Sequence, residues 1–202
     1  MSGRVRLLSA NLANGRADPD AFGALVEALD PDVVAVQEVH PSQAEVLARL
    51  LPFGKLEPAQ NHKGMGIALR QPGSVRYVPL RYRGLYVAEV GLDGDHAGVE
   101  IVNAHISAPH SPPFRRALAR RREQLRGLLA YVDATAGRRR VVVGDLNSTT
   151  LWPVYRCLVA RFADRRRTRP LTGLPSCGNA RVETRADRGR SESAGRGVCR
   201  TR

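Results

Sequence analysis

Three consecutive β-branched residues, Val141-Val142-Val143, run directly into Gly144-Asp145-Leu146-Asn147. Such a Val run reads as a buried strand, which commits this part of the chain to the interior of a sheet. The strand stops at Gly144, and Asp145 and Asn147 follow at i and i+2. In extended backbone those two side chains point to the same side, so a carboxylate and a carboxamide are presented together at the end of a rigid element. Oxygen donors of this kind suit a hard cation such as Mg²⁺ with a polarised water or a phosphate oxygen. A Gly-Asp-x-Asn run also builds ordinary Asx-turns, and both readings stand on this segment alone.

Three further apolar stretches end in the same manner. Val5 to Leu12 reads as a first strand, with Leu7-Leu8-Ser9-Ala10 delivering Asn11. Val33 to Val39 reads as a second, delivering Glu38 after Gln37, and Ile101-Val102-Asn103-Ala104 delivers His105. If these strands lie side by side, their polar ends converge at one rim of a sheet. Taken singly, each has a plainer explanation: Asn11 as a turn residue, His105 as a satisfied core histidine, Glu38 as a carboxylate paired within the structure. Taken together, they form a coherent set. Glu38 holds a divalent cation with Asn11 and Asp145 as direct or water-bridged ligands. Asn147 orients a phosphate oxygen or the attacking water, and His105 bonds the phosphoryl group or assists proton transfer.

Helices alternate with these strands. Asp18-Pro19 is a helix start, Asp capping and Pro at the first position, and Phe22, Leu25, Val26 and Leu29 make the apolar stripe up to Asp30-Pro31. A second helix follows Pro41, with Val46, Leu47, Leu50 and Leu51. Short β-type runs come next around 66–69, 75–80, 85–90 and 99–105, with Asp93-Gly94-Asp95 as a hairpin turn. Phe114 to Val132 is a long amphipathic helix striped by Phe114, Leu118, Leu125, Leu128, Leu129 and Val132. Its other faces are crowded with Arg115, Arg116, Arg120, Arg121, Arg122 and Arg126, which read either as a solvated face or as a track for a phosphate backbone. The sparse aromatic residues argue mildly against single-stranded nucleic-acid binding. A last helical stretch holds Trp152, Val154, Tyr155, Leu158, Val159 and Phe162. Mixed helices and many short strands predict α+β layers.

One domain is the natural expectation for 202 residues. The net charge of +13 is unevenly spread: residues 165–202 carry eleven Arg against Glu183, Asp187 and Glu192. That segment has no aromatic residue and only Leu171, Leu174, Val182 and Val198 as sizeable aliphatics, too few to offset roughly 1–2 kcal/mol of backbone entropy per residue. It is expected to be a disordered Arg-rich tail behind a domain of residues 1–164. Cys157, Cys177 and Cys199 have no metal-ligand spacing, and reduced cysteines in a cytoplasmic monomer are the expectation. No window is apolar enough to span a membrane, and the N-terminal apolar run is too short for a signal peptide.

The ordered series of motifs resembles the endonuclease/exonuclease/phosphatase superfamily, the DNase I-like fold. The matching features are the strand with Asn11, Gln37-Glu38-Val39, Gly64-Met65-Gly66-Ile67-Ala68-Leu69, Asn103-Ala104-His105-Ile106 and Gly144-Asp145-Leu146-Asn147-Ser148. The resemblance implies a four-layer α/β/β/α sandwich and a phosphodiesterase or phosphomonoesterase dependent on Mg²⁺ or Mn²⁺. It implies Glu38 as principal metal ligand alongside Asn11 and Asp145. It further implies His105, Asp145 and Asn147 as catalytic residues and Asn103 and Asn147 as substrate-binding residues. The expected partner is a phosphate ester, nucleic acid among the candidates.

The chain also departs from that family. The family's late Ser-Asp-His motif has no counterpart, since the histidines are at 40, 62, 96, 105 and 110 only. The closing strands that carry it are expected to be missing, and a reading frame shifted near residue 164 would account for an Arg-, Gly- and Ser-rich tail. Losing such a base or phosphate ligand costs ~10²–10⁴-fold in rate, so impaired activity is expected. The alternative is a non-catalytic truncated pseudoenzyme or a basic phosphate- or nucleic-acid-binding module.

Overall fold

A computed structural model describes residues 5–92, 95–110, 112–149, 151–164 and 182–183. The expected hairpin turn at 93–95 falls mostly outside them. So do the expectations of a disordered tail, missing closing strands and a frame shift, apart from Val182 and Glu183.

Two sheets form the middle of the protein. The first contains β1 (Leu7–Asn11), β2 (Val33–Gln37), β3 (Phe53–Glu57) and β4 (Met65–Leu69) in the order β1-β2-β4-β3. The second contains β5 (Val75–Val78), β6 (Leu85–Leu92), β7 (Asp95–His105), β8 (Arg140–Asp145), β9 (Ala163–Asp164) and β10 (Val182–Glu183) in the order β5-β6-β7-β8-β10-β9. Helices α1 (Pro19–Leu29) and α2 (Pro41–Leu50) cover the first sheet, and α3 (Phe114–Ala134) and α4 (Pro153–Val159) cover the second. The result is the α+β sandwich of four layers expected from the motifs.

Period-2 alternation explains the three cores. In β2, Val34 and Val36 face the helices with Phe22, Val26 and Leu47, while Val33 and Ala35 face the other sheet with Ile67, Ile101 and Val143. In the second sheet, Val102, Ala104 and Val142 pack beneath Leu125, Leu128 and Leu158. Both faces of these strands are buried, so they read as continuous apolar runs rather than alternating ones. The local signals also hold: the Asp18 carboxylate accepts from the Ala21 N–H at 2.8 Å, with Pro19 opening α1. Strand β3 carries no such signal. Its side chains are almost all exposed, and it is held by backbone pairing to β4.

Cys157 is disulfide-bonded, which corrects the expectation of three reduced thiols; Cys177 and Cys199 lie outside the described residues. Among the described residues no helix is long and apolar enough to cross a membrane.

Candidate active site

β1 and β2 run parallel with Asn11 opposite Gln37, and β7 and β8 run parallel with His105 opposite Asp145. Each sheet therefore contributes one parallel pair, and the C-terminal ends of both pairs meet at the same mouth of the inter-sheet space. The sequence suggested one rim of one sheet; the structure uses two facing sheets. The faces that look into this space read Leu7-Ser9-Asn11, Val33-Ala35-Gln37, Ile101-Asn103-His105 and Val141-Val143-Asp145. Each passes from apolar to polar toward its C-terminal end, so the core opens directly into the polar cluster.

Asp145 is the centre of that cluster. Its Oδ2 accepts from the Asn11 amide at 2.8 Å and the Asn147 amide at 3.3 Å, and its Oδ1 accepts from the Asn147 backbone N–H at 2.8 Å. Asn11 Oδ1 in turn accepts from the Ala13 N–H. The Asn11–Asp145 bond crosses from one sheet to the other. Asn147 also donates to the Ile106 carbonyl at 2.9 Å. The Asx-turn and the site are thus the same object: the turn around Asp145 is what fixes its carboxylate.

Glu38 stands opposite. His62 Nδ1 lies 3.0 Å from its Oε2 and His105 Nε2 lies 3.6 Å from its Oε1, with the same Nε2 3.9 Å from Asp145 Oδ2. His105 is only 3% exposed. Burial first, then the Arg83 and His62 charges, push its imidazole down to about 3, so at neutral pH it is uncharged. Burial pulls the Arg83 and Arg121 guanidinium groups down from their ordinary value, and nearby carboxylate charges, Glu38 and Asp145 for Arg83 and Asp145 for Arg121, pull them back up. Arg121 packs over the Trp152 ring at 5.1 Å and donates to the Ser107 carbonyl, while Gln124 holds the backbone of His105 and Ser107. Helix α3 thereby clamps the loop after His105.

Backbone strain is concentrated at this mouth. Glu38 and Asn147 have φ of +56° and +46°, Ala13 and Asn14 follow Asn11 in the same region, and Tyr82, beside Arg83, is at +82°. Left-handed backbone outside glycine persists only where the surroundings over-determine it, and it clusters at functional sites. Gly144 is at +120°, and a Cβ there would sit 2.0 Å from the Ala104 carbonyl oxygen, so only glycine turns β8 out toward Asp145.

Of the residues expected from the sequence, Asn11, Glu38, His105, Asp145 and Asn147 come together. Asn103 does not join them. It lies one pleat deeper, fully buried, where its Oδ1 accepts from Gln37 at 2.7 Å and its amide donates to the carbonyls of Val36 and Gly66. All its polar groups are engaged in joining the two sheets. Three residues were missed as members of the site: His62, Arg83 and Arg121. His62 and Arg83 have no local signature. Arg121 has one: it falls on the buried helical stripe Ala117-Arg121-Gln124-Leu125-Leu128, unlike Arg120 and Arg122.

The donor set can hold a hard cation. Two carboxylates stand among carboxamides and the imidazoles of His62 and His105, and among the described residues no three His, Cys, Asp or Glu side chains are disposed to hold a metal ion by themselves. That composition fits Mg²⁺ or Mn²⁺, bound by one or two carboxylates with water and substrate oxygens, better than a His- and Cys-ligated metal.

A family model described as the Endonuclease/Exonuclease/phosphatase family matches residues 8–188. No curated protein sequence matches the chain. Among solved structures, TDP2 from Caenorhabditis elegans superposes with a TM-score of 0.52 at 21% identity, over 72% of this chain and 48% of that one. The chain therefore spans about half the length of that relative. An AP endonuclease from Archaeoglobus fulgidus gives 0.63 at 16% identity, over 90% and 87%. The human nocturnin catalytic domain, solved with a bound sulfate anion, gives 0.55 at 17%, over 77% and 69%. At these identities the likeness is one of fold.

Proposed function

The chain belongs to the endonuclease/exonuclease/phosphatase family, and we propose that it hydrolyses a phosphodiester or phosphomonoester with the help of a divalent cation, Mg²⁺ or Mn²⁺. The observation that carries this reading is the convergence of Glu38 and Asp145 from two sheets, with Asn11 and Asn147 fixing Asp145 and two guanidinium groups alongside. Glu38 and Asp145 would hold the cation, with Asn11 supporting them. Bound there, the cation would neutralise charge on the phosphate and polarise a water.

The protein's own groups divide the remaining work. Arg83 and Arg121 supply N–H donors for non-bridging phosphate oxygens, and preorganised donors of this kind stabilise charge that develops in the transition state. Asn147, held by the Ile106 carbonyl, keeps Asp145 in place with its amide. His105 is a positioning residue in this reading: it is buried, uncharged, and directed at the two carboxylates rather than at solvent. Among the described residues, the imidazoles that contact these carboxylates are His62 and His105.

The test is turnover of bis(p-nitrophenyl) phosphate and p-nitrophenyl phosphate by the full chain with Mg²⁺, with Mn²⁺ and with EDTA. Turnover that needs the metal and falls at least ~100-fold in Glu38→Gln supports the reading. Folded protein that shows no metal-dependent turnover of either ester overturns it. The second reading, a phosphate-binding module without catalysis, then gains from the buried Arg83 and Arg121 N–H groups that lack partners among the described residues. Phosphate binding measured by calorimetry would identify it.

A further inference from the structure

We propose that the Arg81-Tyr82-Arg83 loop and the Arg116–Arg120 edge of α3 form a track that leads a single-stranded polynucleotide to the Glu38–Asp145 centre, with Tyr82 as the ring on which an unpaired base stacks. This rests on the phosphoesterase reading and names its substrate class.

Three contacts seat the loop against one edge of α3. Arg81 pairs with Glu123 at 3.2 Å, the Arg120 guanidinium lies 5.0 Å from the Tyr82 ring centroid, and a Cβ on Gly127 would meet Leu80. Arg116 is one turn before Arg120, so it lies on the same edge. The next loop residue, Arg83, is half-buried and within electrostatic reach of Glu38 and Asp145. A ring and a guanidinium that feels both carboxylates are therefore consecutive in the chain, about 3.8 Å apart at Cα.

Tyr82 is held in a costly state for no gain in burial. Its φ is +82° while the residue is 51% exposed, and left-handed backbone is unfavourable for an aromatic side chain. The Arg120 contact offsets part of that, and the outcome is an aromatic ring displayed beside the mouth. Exposed rings flanked by arginine are how single strands are bound without reading sequence, since every base has a face to stack.

The arginines carry unmet donors. Arg83 Nη1, Arg120 Nε and Arg121 Nη2 are buried N–H groups without a hydrogen-bond partner among the described residues, and Arg121 is 2% exposed. Buried donors ordinarily find acceptors. Guanidinium groups distributed over a loop and a helix edge match successive phosphates of a strand, and the ring needs a base that is not paired.

The experiment is fluorescence anisotropy of an oligothymidylate of about 12 nucleotides, titrated with the full chain in EDTA, beside the corresponding duplex and phosphatidylglycerol vesicles. The expected result is preference for the single strand, on the order of tenfold weaker binding in Tyr82→Asn, and retention in Tyr82→Phe. Asn tolerates left-handed backbone, so that variant keeps its fold. Arg120→Gln should weaken binding and reduce the salt slope by about 1. Duplex or vesicles bound as tightly as the single strand, or Tyr82→Asn binding like wild type, overturns the proposal. Because binding is read without metal, its failure is separate from that of the phosphoesterase reading, which is judged on turnover of the small esters.

Discussion

Replacing Asn103 separates a structural role from the substrate role that its motif suggested. Asn103→Leu keeps the volume but removes an acceptor for the Gln37 amide and donors to the Val36 and Gly66 carbonyls. Each bond contributes a net ~0.5–1.5 kcal/mol, and a buried donor left unmet costs ~1–3 kcal/mol. The two carbonyls belong to paired strands, so the main loss falls on Gln37, left with contacts of 3.5 Å to Ser9 Oγ and 3.4 Å to the Ala35 carbonyl. A destabilisation of about 3 kcal/mol follows, and at roughly 2–4 °C per kcal/mol for a chain of this size the Tm falls by about 6–12 °C. Urea unfolding followed by far-ultraviolet circular dichroism measures it. Below the transition, KM for a small phosphate ester should change less than threefold. If Asn103→Leu unfolds like wild type while KM rises tenfold or more, Asn103 touches substrate and the inter-sheet reading is wrong.

Gly144→Ala should fail to give a native protein or lose at least ~3 kcal/mol, because left-handed strain adds to a backbone clash with Ala104; an unchanged melting curve contradicts it. Glu100 is buried against Arg140, with Arg76 2.8 Å away and Tyr131 bonded to it. Glu100→Gln should lose about 3 kcal/mol by stranding the Arg140 charge, whereas Glu100→Leu combined with Arg140→Met should recover most of it in the same urea assay. Tyr86 donates to Glu57 at 2.6 Å, and Glu57 is held below the ordinary carboxylate range first by Lys55 and then by Tyr86. A lowered carboxyl adds stability above its unfolded pKa and loses it as the pH falls through the folded value. The gap between wild type and Tyr86→Phe should therefore be widest near neutral pH and shrink below about pH 4, which urea titrations across pH would show.

Much of the site was legible because its residues end apolar strands. Val33 to Val36 and Val141 to Val143 are buried on both faces, so the pattern marks them as strands, and the polar residues that follow must leave the core at a strand end. The place of Asn103 was not legible for a related reason. It shares a face with His105 at i, i+2, and nothing local tells which of the two lies at the mouth and which one pleat inside. His62 and Arg83 were invisible, since each sits in a loop whose path is set by packing elsewhere. Tyr82 shows the same limit: few aromatics in the sequence argued against base stacking, yet the fold displays one beside the mouth.

The sequence by itself determined the helices and the buried strands, the caps at Asp18-Pro19 and the identity of the oxygen donors. Those depend on backbone conformation and on periodicities of 2 and 3.6, which neighbours in the chain decide. Only the tertiary structure decided that the donors come from two facing sheets, that Asn11 reaches Asp145 across the gap, and that Arg83 comes within reach of both carboxylates. Those are meetings of residues up to 134 positions apart, chosen by how four layers pack, and no local pattern encodes them.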